Sequence, residues 1–332
     1  MNILVNLPDP YYRASAMRPI WRKLRPLGTV RFRSHDKQET FAKDAAWADA
    51  ILMWSWPAPS PESLTGAPNL RFSGHIDLRQ SSARALFDKG VAVSVVKKCW
   101  SPAVSELALG LILASLRRTS NHHLAMWQGR EKWLGVRDLP VQDPHERQLT
   151  GLSVGIVGFG AIGRRLAEFL APFQVKLLVH DPFILPDVIA TAGGTPVTIS
   201  QMMRQAEVVV LAAAANSGTK HLIGAREIRA MRPGAVLVNT ARAALVDQNA
   251  LIKRLQGGNF YAALDVFDPE PLPKNSPLRR LPNAYLTPHR AGGILESVQR
   301  AATMLVEELL AFSENRPRAH ALTPAMVSSL DG

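Results

Sequence analysis

Gly158-Phe-Gly160-Ala-Ile-Gly163 constrains the fold of this chain more than any other stretch, because a strand pattern leads into it and a helical pattern leads out. Ser153-Val-Gly-Ile-Val157 alternates small and β-branched residues, as a buried parallel strand does, and Arg164-Arg-Leu-Ala-Glu-Phe-Leu170 carries apolar residues at helical spacing. In that setting the first glycine makes the tight turn and the second lets a pyrophosphate approach the backbone. The third lets helix and strand pack closely, while the helix N-terminus turns free N–H groups toward the phosphates. Gly158, Phe159, Gly160, Ala161, Ile162 and Gly163 are therefore candidate cofactor-binding residues. A second strand pattern, Val175-Lys-Leu-Leu-Val179, ends in His180-Asp181. An acid about 20 residues past the glycines is where a ribose diol is hydrogen-bonded. Asp181 would repel a 2′-phosphate, and no arginine follows it in Asp181-Pro-Phe, so the expected cofactor is NAD rather than NADP.

At 332 residues the chain has length for about two domains. Strand patterns at Ile3–Val5, Val30–Phe32, Ala50–Met53, Leu70–Phe72 and Val91–Val95 alternate with helical ones such as Met17–Leu24 and Ser81–Lys89, the latter closed by Gly90. A second set begins at Ser153 and continues through Val208–Leu211, Ala235–Asn239, Ala262–Val266 and Ala284–Thr287. Such alternation argues for an α/β chain of parallel, doubly wound sheets. Between the sets, Ser101-Pro102 offers an N-cap and a first-turn proline to an apolar helix, Ala103 to about Arg118. Met126 to Pro144, rich in Trp, Arg, Asp and Pro, reads as an arm.

Cys99 is the only cysteine, so no intrachain disulfide can form. The N-terminus opens as a strand rather than as a signal sequence, and the apolar run Leu107–Leu116 is short for a membrane span, so a cytoplasmic location is expected. Lys and Arg total 39 against 27 Asp and Glu, a formal charge of +12. The arginines are scattered and no nucleic-acid motif accompanies them, so they read as solvated surface, the alternative being attraction of an anionic substrate or of the cofactor. No metal site, nucleic acid or membrane is expected.

Arg242, Glu270 and His289 stand at or just after strand ends in the second set: Arg242 after Val236–Thr240, Glu270 after Ala263–Phe267, His289 after Tyr285–Pro288. Ligands of open α/β sheets bind beyond the carboxyl ends of strands, which favours one shared cleft. A guanidinium can hold a substrate carboxylate bidentately, and an imidazole can protonate a carbonyl oxygen as hydride reaches its carbon. A carboxylate partner keeps the imidazole oriented and favours its charged form. Taken singly, each also has an ordinary explanation: a strand-end cap, a loop acid, a satisfied buried histidine.

Together with the glycine turn, Val238-Asn-Thr-Ala-Arg-Ala-Ala-Leu-Val-Asp247, Ala263-Leu-Asp-Val-Phe-Asp-Pro-Glu-Pro-Leu272 and Leu286-Thr-Pro-His-Arg-Ala-Gly-Gly293 resemble the signatures of the D-isomer-specific 2-hydroxyacid dehydrogenases, over nearly the whole chain. The resemblance implies that Arg242 orients the substrate, His289 is the general acid/base and Glu270 its partner, with Thr240, Ala241 and Asp265 near the cofactor. It also implies a Rossmann NAD-binding domain, 101–287, inserted into a flavodoxin-like substrate domain made of 1–100 and 288–332. Hinge closure over the cleft and a homodimer formed through the helix after Ser101 and the arm after Met126 are further implications.

The chain departs from the family pattern mainly around the substrate. Family members carry a glycine-rich loop; the corresponding stretch here, Phe72-Ser-Gly-His-Ile-Asp77, is shorter and has His75 in place of a small residue, and Val95-Val-Lys-Lys-Cys-Trp100 precedes the long helix. Lys97 or Lys98 at the pocket mouth, beside Trp100, would favour a substrate with a second anionic group. Otherwise the lysines are solvated. The expected reaction interconverts a 2-oxo acid and a D-2-hydroxy acid with NAD. An NADH sensor without turnover is the alternative that the intact triad opposes; phosphite or another small oxyanion as substrate is the alternative that the unusual loops leave open.

Overall fold

The computed structural model describes residues 1–54, 57–133 and 146–330. Most of the anticipated arm, 134–145, lies outside the described residues; before it, Thr119–Trp127 is a helix. The chain divides into two compact units, one of Met1–Trp100 with Gly293–Gly332 and one of Ser101–Gly292.

The first unit holds five parallel strands, β1 (Asn2–Asn6), β2 (Thr29–Arg33), β3 (Ala50–Met53), β4 (Phe72–His75) and β5 (Ala92–Val95), in the order β2-β1-β3-β4-β5. One face is covered by the helix Leu295–Ser313, whose Val298, Ala302, Leu305 and Leu309 pack with Ile3, Val5, Leu52 and Phe72. The second unit holds seven: β6 (Ser153–Val157), β7 (Lys176–His180), β8 (Gly194–Pro196), β9 (Val208–Leu211), β10 (Val236–Asn239), β11 (Tyr261–Leu264) and β12 (Ala284–Leu286), in the order β12-β11-β10-β9-β6-β7-β8. All described pairings in it are parallel. Both faces are buried, with Val209, Leu211 and Leu237 in one core and Val208, Val210 and Val236 in the other. That is why these strands are apolar throughout rather than alternating.

Three local expectations change. Ser101 is not an N-cap: a 3₁₀ turn, Lys97–Trp100, runs directly into the helix Ser101–Leu116, and the buried Ser101 hydroxyl has no hydrogen-bond partner among the described residues. Continuous from Lys97 to Leu116, this segment matches a membrane span in length and composition; yet Ala108, Leu111, Ile112 and Leu116 are built into the core of the second unit. The stretch 72–77, counterpart of the family's glycine-rich loop, is largely the strand β4, because Ser73, Gly74 and His75 are small or polar by type but central and buried by position. Strand β8 was not foreseen: it is short and contains both glycine and proline, which suits only an edge.

Candidate active site

Strand order in the second unit reverses at β6, which has β7 and β8 on one side and β9 to β12 on the other. The crevice beyond the carboxyl ends of the strands at such a reversal is where doubly wound sheets bind ligands. The Gly158–Gly163 turn follows β6 there and leads into the helix Ala161–Leu170. Gly158 has φ +94°, and a Cβ on it would lie 2.5 Å from the Ala213 backbone nitrogen, so only glycine fits. A Cβ on Gly163 would lie 2.2 Å from the Gly158 carbonyl oxygen, the close helix–strand approach that the third glycine permits. Gly160, by contrast, faces open space, and no side chain caps the helix N-terminus behind it. The residues present therefore fit a pyrophosphate.

Not every residue of the turn can touch a cofactor with its side chain. Phe159 is fully buried in the core, and its contribution is a backbone N–H that donates to Asp181 Oδ2 at 2.7 Å. Asp181 Oδ1 accepts from Phe183 N at 2.9 Å, so this carboxylate is fixed at the end of β7 beside the glycine turn. Ala161 and Ile162 open the helix, with the Ile162 carbonyl accepting from Ser105 Oγ at 3.0 Å. After β10, Ala241 packs into the core, while the buried Thr240 hydroxyl has no partner among the described residues. An unsatisfied hydroxyl at a strand end in this crevice also suits a bound polar ligand.

Arg242, Glu270 and His289 follow β10, β11 and β12, neighbouring parallel strands, so all three emerge at the same edge of the sheet as the glycine turn. Asn239 ties down the loop that carries Arg242: its amide donates to the Arg242 carbonyl at 3.0 Å and accepts from Ala241 N at 3.1 Å. The Arg242 side chain is exposed, with Nη1 donating to the Ala241 carbonyl at 2.8 Å. Glu270 has its two oxygens divided between two tasks. Oε1 accepts from Phe267 N at 2.8 Å, which fixes the carboxylate, and Oε2 lies 2.7 Å from His289 Nδ1. A cavity of about 650 Å³ lined by Phe267, Glu270, Leu272, Leu286 and His289 opens beside the pair.

His289 has φ +51°, a left-handed backbone uncommon outside glycine, and here a constraint holds it. The constraint is Asp265. Its buried carboxylate accepts from Thr287 Oγ1 at 2.6 Å, Arg290 N at 2.8 Å and Ala291 N at 2.8 Å, so it grips the turn on both sides of His289. The resemblance sets Asp265 near the cofactor; its hydrogen bonds make it the anchor of the histidine turn. They also keep His289–Gly292 with the second unit, which the chain leaves at Gly293 rather than at Pro288. Asn239 is given no role by the sequence reading, although it stands in the Val238–Asp247 motif. A lone amide closing a buried apolar strand was the signal, since such a group must bond to nearby backbone.

The residues singled out in the first unit lie differently. His75 is fully buried, with Nε2 2.7 Å from Ser73 Oγ, and burial pushes its pKa down to about 4, a backbone hydrogen bond at Trp54 offsetting part of that. His75 is therefore sealed from solvent among the described residues. Lys97 Nζ is paired with Asp77 at 3.2 Å, Lys98 is exposed, and Trp100 packs on Trp54 with ring centroids 5.4 Å apart.

The profile described as D-isomer specific 2-hydroxyacid dehydrogenase, NAD binding domain, matches residues 109–291. A glyoxylate reductase from Aeropyrum pernix is 31% identical over 286 residues, covering 84% of each chain. A formate dehydrogenase from Pseudomonas sp. (strain 101) is 31% identical over 290 residues, covering 83% of this chain and 69% of its own. Among solved structures, the TT0316 protein from Thermus thermophilus superposes with a TM-score of 0.79 at 28% identity, covering 97% of this chain and all of its own. The glycine turn at the strand-order reversal, the profile match and these relatives agree: the chain belongs to the D-isomer specific 2-hydroxyacid dehydrogenase family, with NAD as its cofactor.

Proposed function

We propose that this protein reduces a small 2-oxo acid of the glyoxylate type to the corresponding 2-hydroxy acid (of D configuration where C2 is a stereocentre), and that His289 moves the proton. The observation that carries this is the 2.7 Å contact between His289 Nδ1 and a Glu270 carboxylate whose other oxygen is fixed to backbone. With Nδ1–H donating to Glu270, the opposite nitrogen, Nε2, is the one that faces a substrate oxygen. NADH held at the Gly158–Gly163 turn would supply the hydride that C2 receives. His289 Nε2–H gives its proton to the carbonyl oxygen as the C=O bond becomes C–OH, and Glu270 stabilises the imidazolium before transfer. Arg242 holds the substrate carboxylate through its planar fork. Asp265 and Asn239 act at one remove, positioning the loops that carry His289 and Arg242. Asp181 favours NADH over NADPH by repelling a 2′-phosphate.

Nucleotide binding is assigned to the Ser101–Gly292 unit, and substrate recognition in part to the unit of Met1–Trp100 with Gly293–Gly332. Exposed Leu124, Met126, Trp127 and Trp133 support a homodimer formed through this segment, since an isolated surface rarely leaves such a group uncovered. The similarity to a glyoxylate reductase supports a small 2-oxo acid, and the similarity to a formate dehydrogenase makes a one-carbon oxyanion the competing substrate. NADH oxidation should be followed with glyoxylate, hydroxypyruvate and pyruvate, and NAD reduction with formate and phosphite. Turnover of a 2-oxo acid, with NADH preferred and the preference narrowed by Asp181→Ala, is the expected result. Turnover of formate or phosphite alone, or none with any substrate, would refute it.

A further inference from the structure

Arg18, Arg22 and Arg25 border a cavity of about 440 Å³ that Tyr12, Trp21 and Phe32 also line. It lies wholly within the first unit, beside the edge strand β2, and shares no residue with the glycine turn or the Arg242, Glu270 and His289 set. Its wall is aromatic. Tyr12 stacks on Phe32 with centroids 5.4 Å apart, and Trp21 meets Phe32 edge-on at 5.8 Å. Its rim is basic: Arg18 and Arg22 lie at the two ends of the helix Arg18–Arg22, and Arg25 opens the 3₁₀ turn Arg25–Leu27 that follows.

Other arginines of the same region have acids. Arg13 pairs with Asp9 at 3.1 Å, and Arg31 and Arg33 pair with Asp44 at 3.3 and 2.8 Å. Arg18, Arg22 and Arg25 have no ion pair or hydrogen bond among the described residues. Like charges three and four positions apart repel one another, so the fold gains nothing from gathering them at one mouth unless an anion shares it. Trp21 also lines the cavity; its indole N–H is itself buried and lacks a hydrogen-bond partner among the described residues. The volume falls in the range of small-molecule sites, roughly 300–1,000 Å³. Guanidinium groups bind phosphate through paired hydrogen bonds, and an aromatic wall accepts a planar ring.

We propose that this cavity is a second ligand site, for a phosphorylated organic anion with a planar ring, its phosphates held by Arg18, Arg22 and Arg25 and its ring laid against Tyr12 and Phe32. The site stands independently of the dehydrogenase assignment and gives part of the +12 charge a purpose other than solvation.

The test is calorimetric titration of the NADH-saturated protein, so that the dinucleotide site is filled, with ATP, inorganic tripolyphosphate and adenosine as probes. Saturable one-site binding of ATP is expected, at least about tenfold tighter than either fragment. The Arg18→Glu/Arg22→Glu variant should lose about tenfold or more in ATP affinity, with kcat and NADH affinity unchanged. The milder Arg25→Gln variant, at an exposed position, should weaken ATP several-fold and serves if the double variant fails to fold. Absence of saturable ATP binding, equal affinity in the arginine variants, or tripolyphosphate binding as tightly as ATP would each overturn the proposal.

Discussion

His75 and His289 each stand at or just past the carboxyl end of a strand in a parallel sheet, and each ring has a partner at 2.7 Å, yet they meet opposite conditions. The partner of His75 is the neutral Ser73 hydroxyl, and the ring is sealed in the first unit. The partner of His289 is the Glu270 carboxylate, and its side chain is 51% exposed. Burial without a countercharge holds a histidine neutral, whereas a fixed carboxylate at an open strand end prepares one to donate a proton. Chemical type and sheet position are shared; solvent access and the charge of one neighbour divide a structural residue from a candidate catalytic one.

The comparison breaks most visibly in turnover. His289→Ala should lower kcat by roughly 10²–10⁴-fold, the scale for losing a positioned proton donor, while NADH affinity persists. His75→Gln should leave kcat nearly unchanged, which stopped-flow NADH oxidation with both variants would check. A large loss in the His75 variant instead would show that the first unit's histidine is not merely structural.

The next effect is on stability and belongs to His75. Its pKa is about 4 when folded against an ordinary 6.5, so the unfolded chain takes up the proton first as pH falls. Above pH 6.5 both states are neutral and nothing is lost. Between 6.5 and about 4 the unfolded state is progressively favoured, and below about 4 the loss is complete, roughly 3 kcal/mol from the gap between the two values. Thermal melts from neutral to acidic pH should therefore show a steeper decline for the wild type than for His75→Gln. Parallel declines would contradict the buried neutral state.

Smaller effects lie at the rims of the two units. Arg242→Lys keeps the charge and loses the planar fork, so the KM for the 2-oxo acid should rise several-fold with NADH affinity unchanged. Lys98→Glu should alter neither KM nor substrate ranking, because Lys98 is exposed and its neighbour Lys97 already has Asp77. A selective loss of doubly charged substrates in Lys98→Glu would restore that lysine to the pocket.

What was legible in the sequence follows the same division. The glycine turn, Asp181 and the strand-end positions of Arg242, Glu270 and His289 are local patterns, because a turn, a helix start and a strand end are each written in a few consecutive residues. Asp265 and Asn239 could be seen but not understood. Their work is done by hydrogen bonds to backbone groups whose positions depend on the folded loops. The place of His75 was left open by the sequence for the opposite reason: only the packing of Gly74 against Leu52 and Leu305 shows that Ser-Gly-His is part of a central strand. Arg18, Arg22 and Arg25 read as scattered surface because the aromatic wall that gathers them includes Phe32, on the edge strand β2, supplied by tertiary folding.

The most direct measurement of the central claim, that a carboxylate-held imidazole at the β12 end transfers the proton, is the pH dependence of kcat/KM for glyoxylate reduction in the wild type and in Glu270→Gln, side by side. Removing the carboxylate removes the acceptor that orients the imidazole, so the variant's profile should lie well below that of the wild type, with unchanged NADH affinity. Superimposable profiles would show that Glu270 does not govern the proton donor and would contradict the account.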